Sequence, residues 1–330
     1  MEVTSTEWVP VTDESSVGKA RRKSLLIAHR LGFDEVRSGE VALLATEASR
    51  NVLVHGRGGQ LVISAIANQH RRVVRILAMD RGPGIANLAQ AMSDGYSTAG
   101  TMGGGMGAMK RIASTLEVFT GHHGTVVLLE IGDTEDSVPP SVAGLALPYP
   151  GERCCGDAWA IHHTPERVVV LLTDGLGHGR DAAEASQEAV AAFRKRQEMT
   201  PGQILGFLHD ALKKTRGAVG AVAEIRPREA TVTYAGIGNI SASVVSPEGS
   251  RSLVSHNGTL GMVTSRIQEF RTPWTPDAIL VMHSDGLQSR WELSSYPGLV
   301  TRHPAIVGGV LLRDFRRQRD DASVVVVKAA

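Results

Sequence analysis

The sequence predicts an α+β chain of two domains, and three observations carry that reading. Its 330 residues are enough for two domains that each bury a core. The first part opens on two helical patterns followed by two strand patterns, whereas the second half is built on short apolar β-runs tipped by aspartates. Between them lies Gly132-Asp133-Thr134-Glu135-Asp136-Ser137-Val138-Pro139-Pro140, a polar stretch ending in a proline pair. The expected partition is 1–134 for the first domain, 135–143 for a linker and 144–330 for the second domain.

Residues 17–31 and 38–55 read as helices, broken at Gly32-Phe33-Asp34. On the second, Val41, Leu44, Ala45, Ala48 and Val52 recur at three- and four-residue spacing as one apolar stripe. Glu47, Asn51 and His55 follow at i, i+4 and i+8, a polar row along the edge of that stripe. Strands are expected over Gln60 to Asn68 and Val73 to Met79, the latter running into Asp80-Arg81-Gly82-Pro83-Gly84-Ile85. Gly103-Gly104-Gly105-Met106-Gly107 then precedes a helix expected from about Ala108 to Thr115. Glycines there let backbone N–H groups approach an anion, and a helix N-terminus favours negative charge. The loop is not a Walker A, because no Gly-Lys-Ser/Thr follows it. Met102, Met106 and Met109 read as packing or lid residues.

In the second half, Ala158 to Ile161 follows Asp157, a turn is centred on Thr164-Pro165-Glu166, and Val168 to Leu172 leads into Asp174. An antiparallel hairpin turning there sets residue 157 opposite residue 174, so two carboxylates meet at one end of a sheet. Like charges so placed destabilise a sheet, and a cation between them reverses the sign. Ala278 to Ser284 reads as a second strand, ending in Asp285-Gly286, and Asp320-Asp321 opens the terminal strand Ala322 to Val327. If these also pair antiparallel, four hard oxygen donors share one edge. Such a set suits Mg²⁺ or Mn²⁺, and two ions roughly 3.5–4 Å apart would activate a water and clamp a phosphoryl group.

Cys155-Gly156-Asp157, Asp174-Gly175-Leu176-Gly177-His178-Gly179, Gly236-Ile237-Gly238-Asn239, Ser284-Asp285-Gly286 and Asp320-Asp321-Ala322-Ser323 resemble the motif series of SpoIIE-type phosphatases. These are metal-dependent PPM serine/threonine phosphatases, and the compact spacing is most similar to the RsbX branch. The resemblance covers about Leu145 to the end. It implies a PPM-type β-sandwich flanked by helices, with Asp157, Asp174, Asp285 and Asp320 as metal ligands and Gly175 contributing its carbonyl. Asp157 and Asp174 would be the catalytic pair, and Asp321 is the alternative to Asp320.

Glu47-x-x-x-Asn51, Asp80-x-Gly-x-Gly84 and Gly103 to Gly107, in that order, resemble the N-box and glycine boxes of the GHKL ATPase superfamily. Within it, Ala45 to Gln60 and Met92 to Thr98 are most similar to the switch serine kinases of the RsbT type, and the resemblance covers about residues 8–131. It implies an N-terminal GHKL (Bergerat) α/β sandwich binding ATP with Mg²⁺. Asn51 would hold the Mg²⁺, Glu47 would orient or deprotonate a serine hydroxyl, and Asp80 would accept from the adenine amino group. Gly82 and Gly84 would pack on the base, and Gly103, Gly104, Gly105 and Gly107 would form the lid. The two resemblances point to one substrate class, STAS-domain anti-sigma antagonist or stressosome proteins. The competing expectation is a first half that only binds a sigma factor or senses nucleotide.

A net charge of +1 gives no case for a nucleic-acid or membrane surface. Arg21-Arg22-Lys23 and Arg313 to Arg319 read as solvated helix faces. No apolar run approaches the ~18–20 residues that span a bilayer, and the first residues do not read as a signal peptide, so the expected location is cytoplasmic. Cys154-Cys155 has neither disulfide nor metal spacing and reads as buried structure, and His122-His123 and His162-His163 lack the partners a zinc site needs. A homodimer is compatible with the sequence, with nothing in it to fix an interface.

Overall fold

The computed structural model describes residues 2–67, 71–93, 105–134, 142–264 and 266–328. In chain order the first elements are β1 (Glu2–Val11), α1 (Glu14–Arg30), α2 (Glu35–Val54), β2 (Gly59–Ala67), β3 (Arg71–Asp80), α3 (Leu88–Ala91), α4 (Met106–Ile112), β4 (Thr115–Gly121) and β5 (Gly124–Thr134). Then follow β6 (Val142–Leu147), β7 (Asp157–His163), β8 (Val168–Gly175), α5 (Arg180–Arg194), α6 (Pro201–Ala211), β9 (Ala218–Arg226) and β10 (Thr231–Ile237). The last are β11 (Ser241–Ser246), β12 (Gly249–Leu253), β13 (Phe270–Pro273), β14 (Ile279–His283), α7 (Pro304–Phe315) and β15 (Ala322–Lys328). Two compact units result: residues 1–138 with 301–313, and residues 139–300 with 314–330.

In the first unit a five-stranded antiparallel sheet runs β1-β2-β3-β5-β4. Both long helices start three residues earlier than periodicity predicts, because an aspartate caps each. Asp13 and Ser16 form a capping box on α1, and the Asp34 carboxylate accepts from the Arg37 N–H at 2.7 Å. Gly32, at φ +75°, makes the break between them. The predicted stripe Val41, Leu44, Ala45, Ala48 and Val52 is buried against Ile63, Ile76, Ala78 and Leu129 of the sheet. The opposite face of the sheet meets α7, a helix buried from Pro304 to Arg313. A Cβ at Gly309 would stand 2.9 Å from a Leu77 methyl and 3.0 Å from a Val126 methyl, so this glycine sets how closely α7 can approach.

Several features depart from the sequence reading. Strand β1 was not predicted: it carries Pro10 and few apolar residues, as an edge strand can. Helix α4 is Met106–Ile112 rather than 108–115, because the Ser114 N–H and Thr115 are already drawn into pairing with Glu130 of β5. The expected linker 135–143 is shorter at its far end, since Val142 and Ala143 pair with Val327 and Val326 as part of β6. Arg313 and Arg316 are buried, not solvated, and the Arg316 guanidinium donates to the Pro148 carbonyl at 2.5 Å. Cys154 is exposed rather than buried.

The second unit is a sandwich of two five-stranded antiparallel sheets, β13-β10-β9-β8-β7 and β12-β11-β14-β15-β6. Alternate residues of β8 divide between two cores, as the two-residue period of a strand requires. Val168, Val170 and Leu172 pack between the sheets with Leu280, Met282, Val325 and Val327. Val169 and Leu171 face outward onto Phe193 of α5 and Leu205 and Leu208 of α6. A β-sandwich flanked by helices is the result. No helix among the described residues is long and apolar enough to cross a membrane.

Candidate active sites

In the first unit, the polar row on α2 lines a cleft of about 400 Å³, with Glu47 and Asn51 on one wall and Asp80, Gly84, Gly105 and Thr125 on others. Asp80 ends β3, where the Gly82 and Thr125 N–H groups both donate to its Oδ1, at 2.8 and 3.2 Å. Burial raises the Asp80 pKa, and these two bonds oppose that. Burial likewise raises the Glu47 pKa, against the opposing charge of Arg50. A carboxyl raised in this way accepts a proton more readily than an exposed one.

The glycines of the motif divide by role. Gly84 adopts φ +78°, and a Cβ there would meet the Gly121 carbonyl oxygen at 2.3 Å. Gly82 instead buttresses the site, since a Cβ would meet Gly56 Cα at 2.8 Å. Gly105 lines the cleft and caps α4. Gly107 was expected in the loop but lies within α4, buried, because the helix starts at Met106. Gly103, Gly104, Met102 and the stretch 94–98 lie outside the described residues. Met106 and Met109 are buried packing residues that also line the cleft.

Sequence reasoning missed Gly56, Gly124 and Thr125. A Cβ on Gly56 would sit 2.4 Å from Asp80 Cβ, and one on Gly124 would sit 2.1 Å from the Asp80 carbonyl oxygen. Thr125 Oγ1 further bonds Thr120 Oγ1 at 3.0 Å, and Thr120 accepts the Ile85 N–H at 2.8 Å. The Gly-Thr pair opening β5 was the available signal, with no spacing to connect it to Asp80.

In the second unit, Asp157 and Asp174 are register partners across β7 and β8, as the hairpin arithmetic predicts. Strands β14 and β15 also pair antiparallel, in the other sheet of the sandwich, which brings Asp285 and Asp320 to the same end. Burial raises the Asp157 and Asp174 pKa values. The charges of Asp157, Asp285 and Asp320 push Asp174 up further. Asp320 is raised by burial and then by Asp285. Gly175 is required by contact, since a Cβ there would lie 2.1 Å from the Ala182 carbonyl oxygen.

Asp320 and Asp321 behave differently. Asp321 is buried and its Oδ1 accepts the Tyr149 N–H at 2.7 Å, whereas Asp320 is half-buried. Asp285 accepts from Asn239 Nδ2 at 2.7 Å. At the rim, His178 Nδ1 lies 3.0 Å from Glu152 Oε1 and its ring stacks on Tyr149 at 4.6 Å. Ser284, missed as a site residue, donates its hydroxyl to Asp157 Oδ2 at 2.6 Å.

The donor set fits a divalent cation. Asp157 Oδ1 is buried without a hydrogen-bond partner, beside a second carboxylate that repels it. A cation satisfies both, with the hard oxygens that Mg²⁺ and Mn²⁺ prefer. Among the described residues no three acidic, His or Cys side chains converge as a closed ligand set.

Two family models match the chain: Stage II sporulation protein E (SpoIIE) over residues 164–330, half of the chain, and Histidine kinase-like ATPase domain over residues 9–131. The serine/threonine-protein kinase RsbT of Bacillus subtilis (strain 168) is 32% identical over 104 residues, which cover 32% of this chain and 78% of that protein. A solved structure described as "The bacterial stressosome: a modular system that has been adapted to control secondary messenger signaling" aligns with a TM-score of 0.52. It is 26% identical and covers 57% of this chain and 98% of its own. RsbX in complex with magnesium aligns with a TM-score of 0.50 at 19% identity, over 64% of this chain and 98% of its own, a likeness of fold. The chain therefore belongs to the SpoIIE family of protein-serine phosphatases through its second half, and to the RsbT family of serine/threonine kinases through its histidine-kinase-like ATPase half.

Proposed function

We propose that one chain both adds and removes a phosphoryl group on a serine of a STAS-domain partner, an anti-sigma antagonist or stressosome protein. The observation that supports this reading is the presence in one polypeptide of two separate residue sets: the Glu47–Asn51–Asp80 cleft and the four-aspartate edge. The kinship with RsbT and the likeness to a stressosome structure support a partner-switching role.

In the cleft, Asp80 would accept from the adenine amino group, with Gly84 lining the wall beside it. Asn51 would hold the Mg²⁺ of ATP, Glu47 would take the serine proton, and Gly105 would lie against the phosphates. Phosphoryl transfer depends mainly on positioning and charge neutralisation, which this small set provides. At the other site Asp157, Asp174, Asp285, Asp320 and the Gly175 carbonyl would hold two Mn²⁺ or Mg²⁺ ions. Such ions supply an activated water and neutralise the phosphoryl oxygens. Asp320 is taken as the ligand of its pair because it lies beside Asp285 at that edge, while one oxygen of Asp321 accepts the Tyr149 N–H. Carrying both sites on one chain raises the effective concentration of each at the other's product.

The test uses a purified STAS protein, γ-labelled ATP and the chain, with and without Mn²⁺, for wild type and Asp174→Asn. Label that is transient in wild type and persists in Asp174→Asn is the expected result. No label on the STAS protein in either, with pre-phosphorylated protein still hydrolysed, reduces the first half to a binding or sensing module.

A further inference from the structure

We propose that Trp291 and His283 are positioning residues that act through Ser284 to fix the Asp157 carboxylate for its cation. Four hydrogen bonds form the connection. The Trp291 indole Nε1–H donates to His283 Nε2 at 3.1 Å, with the two rings edge-on and 6.0 Å apart. An Nε2 that accepts leaves the single ring proton of a neutral imidazole on Nδ1. That proton is donated to the Ser284 carbonyl oxygen at 2.8 Å. The Ser284 hydroxyl then donates to Asp157 Oδ2 at 2.6 Å while accepting the Ser323 N–H at 3.0 Å.

Ser284 is thereby held at every polar atom it has, because its own N–H donates to the Ser323 carbonyl at 3.2 Å. It is fully buried, as is His283 at 2% exposure. The hydroxyl also joins the two sheets of the sandwich, since Asp157 opens β7 in one and Ser284 follows β14 in the other. With Oδ2 engaged, Asp157 Oδ1 is left buried and unpartnered.

The residue types suit this role. A serine hydroxyl orients a carboxylate and leaves its full negative charge for a cation, where a lysine or arginine would cancel it. Groups that orient metal ligands in this way typically cost 10–100-fold in metal affinity when removed.

This inference rests on the reading of Asp157 as a metal ligand, and calorimetric titration with Mn²⁺ separates the two. Wild type, Ser284→Ala, Ser284→Thr and Trp291→Phe would be compared, with phosphoserine hydrolysis followed against Mn²⁺ concentration. The expected result is a Mn²⁺ Kd raised about 10-fold or more in Ser284→Ala and Trp291→Phe, with Ser284→Thr close to wild type. Hydrolysis would show the same shift in its Mn²⁺ requirement, with kcat at saturating Mn²⁺ changed much less. The ¹⁵N spectrum of the His283 ring would report the Nδ1–H tautomer in wild type, with the Nε2 resonance shifted in Trp291→Phe as the hydrogen bond it accepts is lost. A Trp291→Phe variant with wild-type Mn²⁺ affinity overturns the inference, and that variant keeps the test open should Ser284→Ala fail to fold. A wild type that binds no Mn²⁺ overturns the metal reading as well.

Discussion

Asp157 and Asp174 stand directly opposite each other at the mouth of the β7–β8 hairpin, and in the absence of a cation each is held above the usual carboxylate range. Burial is the larger cause, and for Asp174 the charge of Asp157 comes next. The folded protein therefore binds protons that the unfolded chain releases near its ordinary value of 3.8. Stability falls wherever the unfolded state holds fewer protons, so the metal-free protein loses stability as pH rises above that value. Calorimetric melting should show a Tm that declines with rising pH without metal and is nearly level with saturating Mn²⁺. A metal-free Tm that climbs through the same window would contradict the pairing.

Asp174→Asn removes one of two repelling groups together with a ligand. Its metal-free stability should rise by about 1 kcal/mol as the like-charge contact is lost, read as a higher Tm. Its phosphoserine hydrolysis should fall by ~100-fold or more as the cation is lost. Opposite signs for stability and activity are what a purely structural aspartate would not produce.

Glu47→Gln keeps the shape of the cleft wall and removes the proton acceptor. Transfer from ATP to the STAS partner should drop ~10²–10⁴-fold, the usual range for a general base. ATP affinity, measured by titration calorimetry, should change little. Undiminished transfer would remove Glu47 from the chemistry.

Gly124→Ala tests the backing of Asp80. The new methyl would stand 2.1 Å from the Asp80 carbonyl oxygen, on a backbone at φ +111°. Gly121, three residues earlier, has no atom within 4 Å of the Cβ position and serves as the control. ATP affinity should fall ~10-fold or more in Gly124→Ala, a cost of about 1.4 kcal/mol, and stay near wild type in Gly121→Ala. Equal behaviour of the two variants would sink the idea.

The features legible in the sequence are those set by local period or by register. The α2 stripe and its polar row follow from 3.6 residues per turn, and the Asp157–Asp174 pair follows from counting across one turn. The features that stayed hidden join residues distant along the chain. Thr125 donates to Asp80, Ser284 to Asp157 and Tyr149 to Asp321, and none of these pairs shares a spacing rule. Burial of Arg313 and Arg316 was hidden for the same reason, because a basic run looks alike whether it is solvated or buried. The end of α4 moved because β-pairing at Glu130 outcompeted helix propensity at Ser114.

Helix α7 is encoded between the last two strands of the sandwich, yet residues 301–313 belong to the first unit. Gene surgery at the proline pair would therefore yield no pair of free-standing proteins. A fragment stopping at residue 138 would expose Leu77 and Val126, apolar surface that ends in aggregation more readily than in a working kinase. Inheritance is constrained in the same way. Neither half can be shuffled to another gene, or lost from this one, without taking a piece of the other's fold, so the two units occur in equal number in every molecule made.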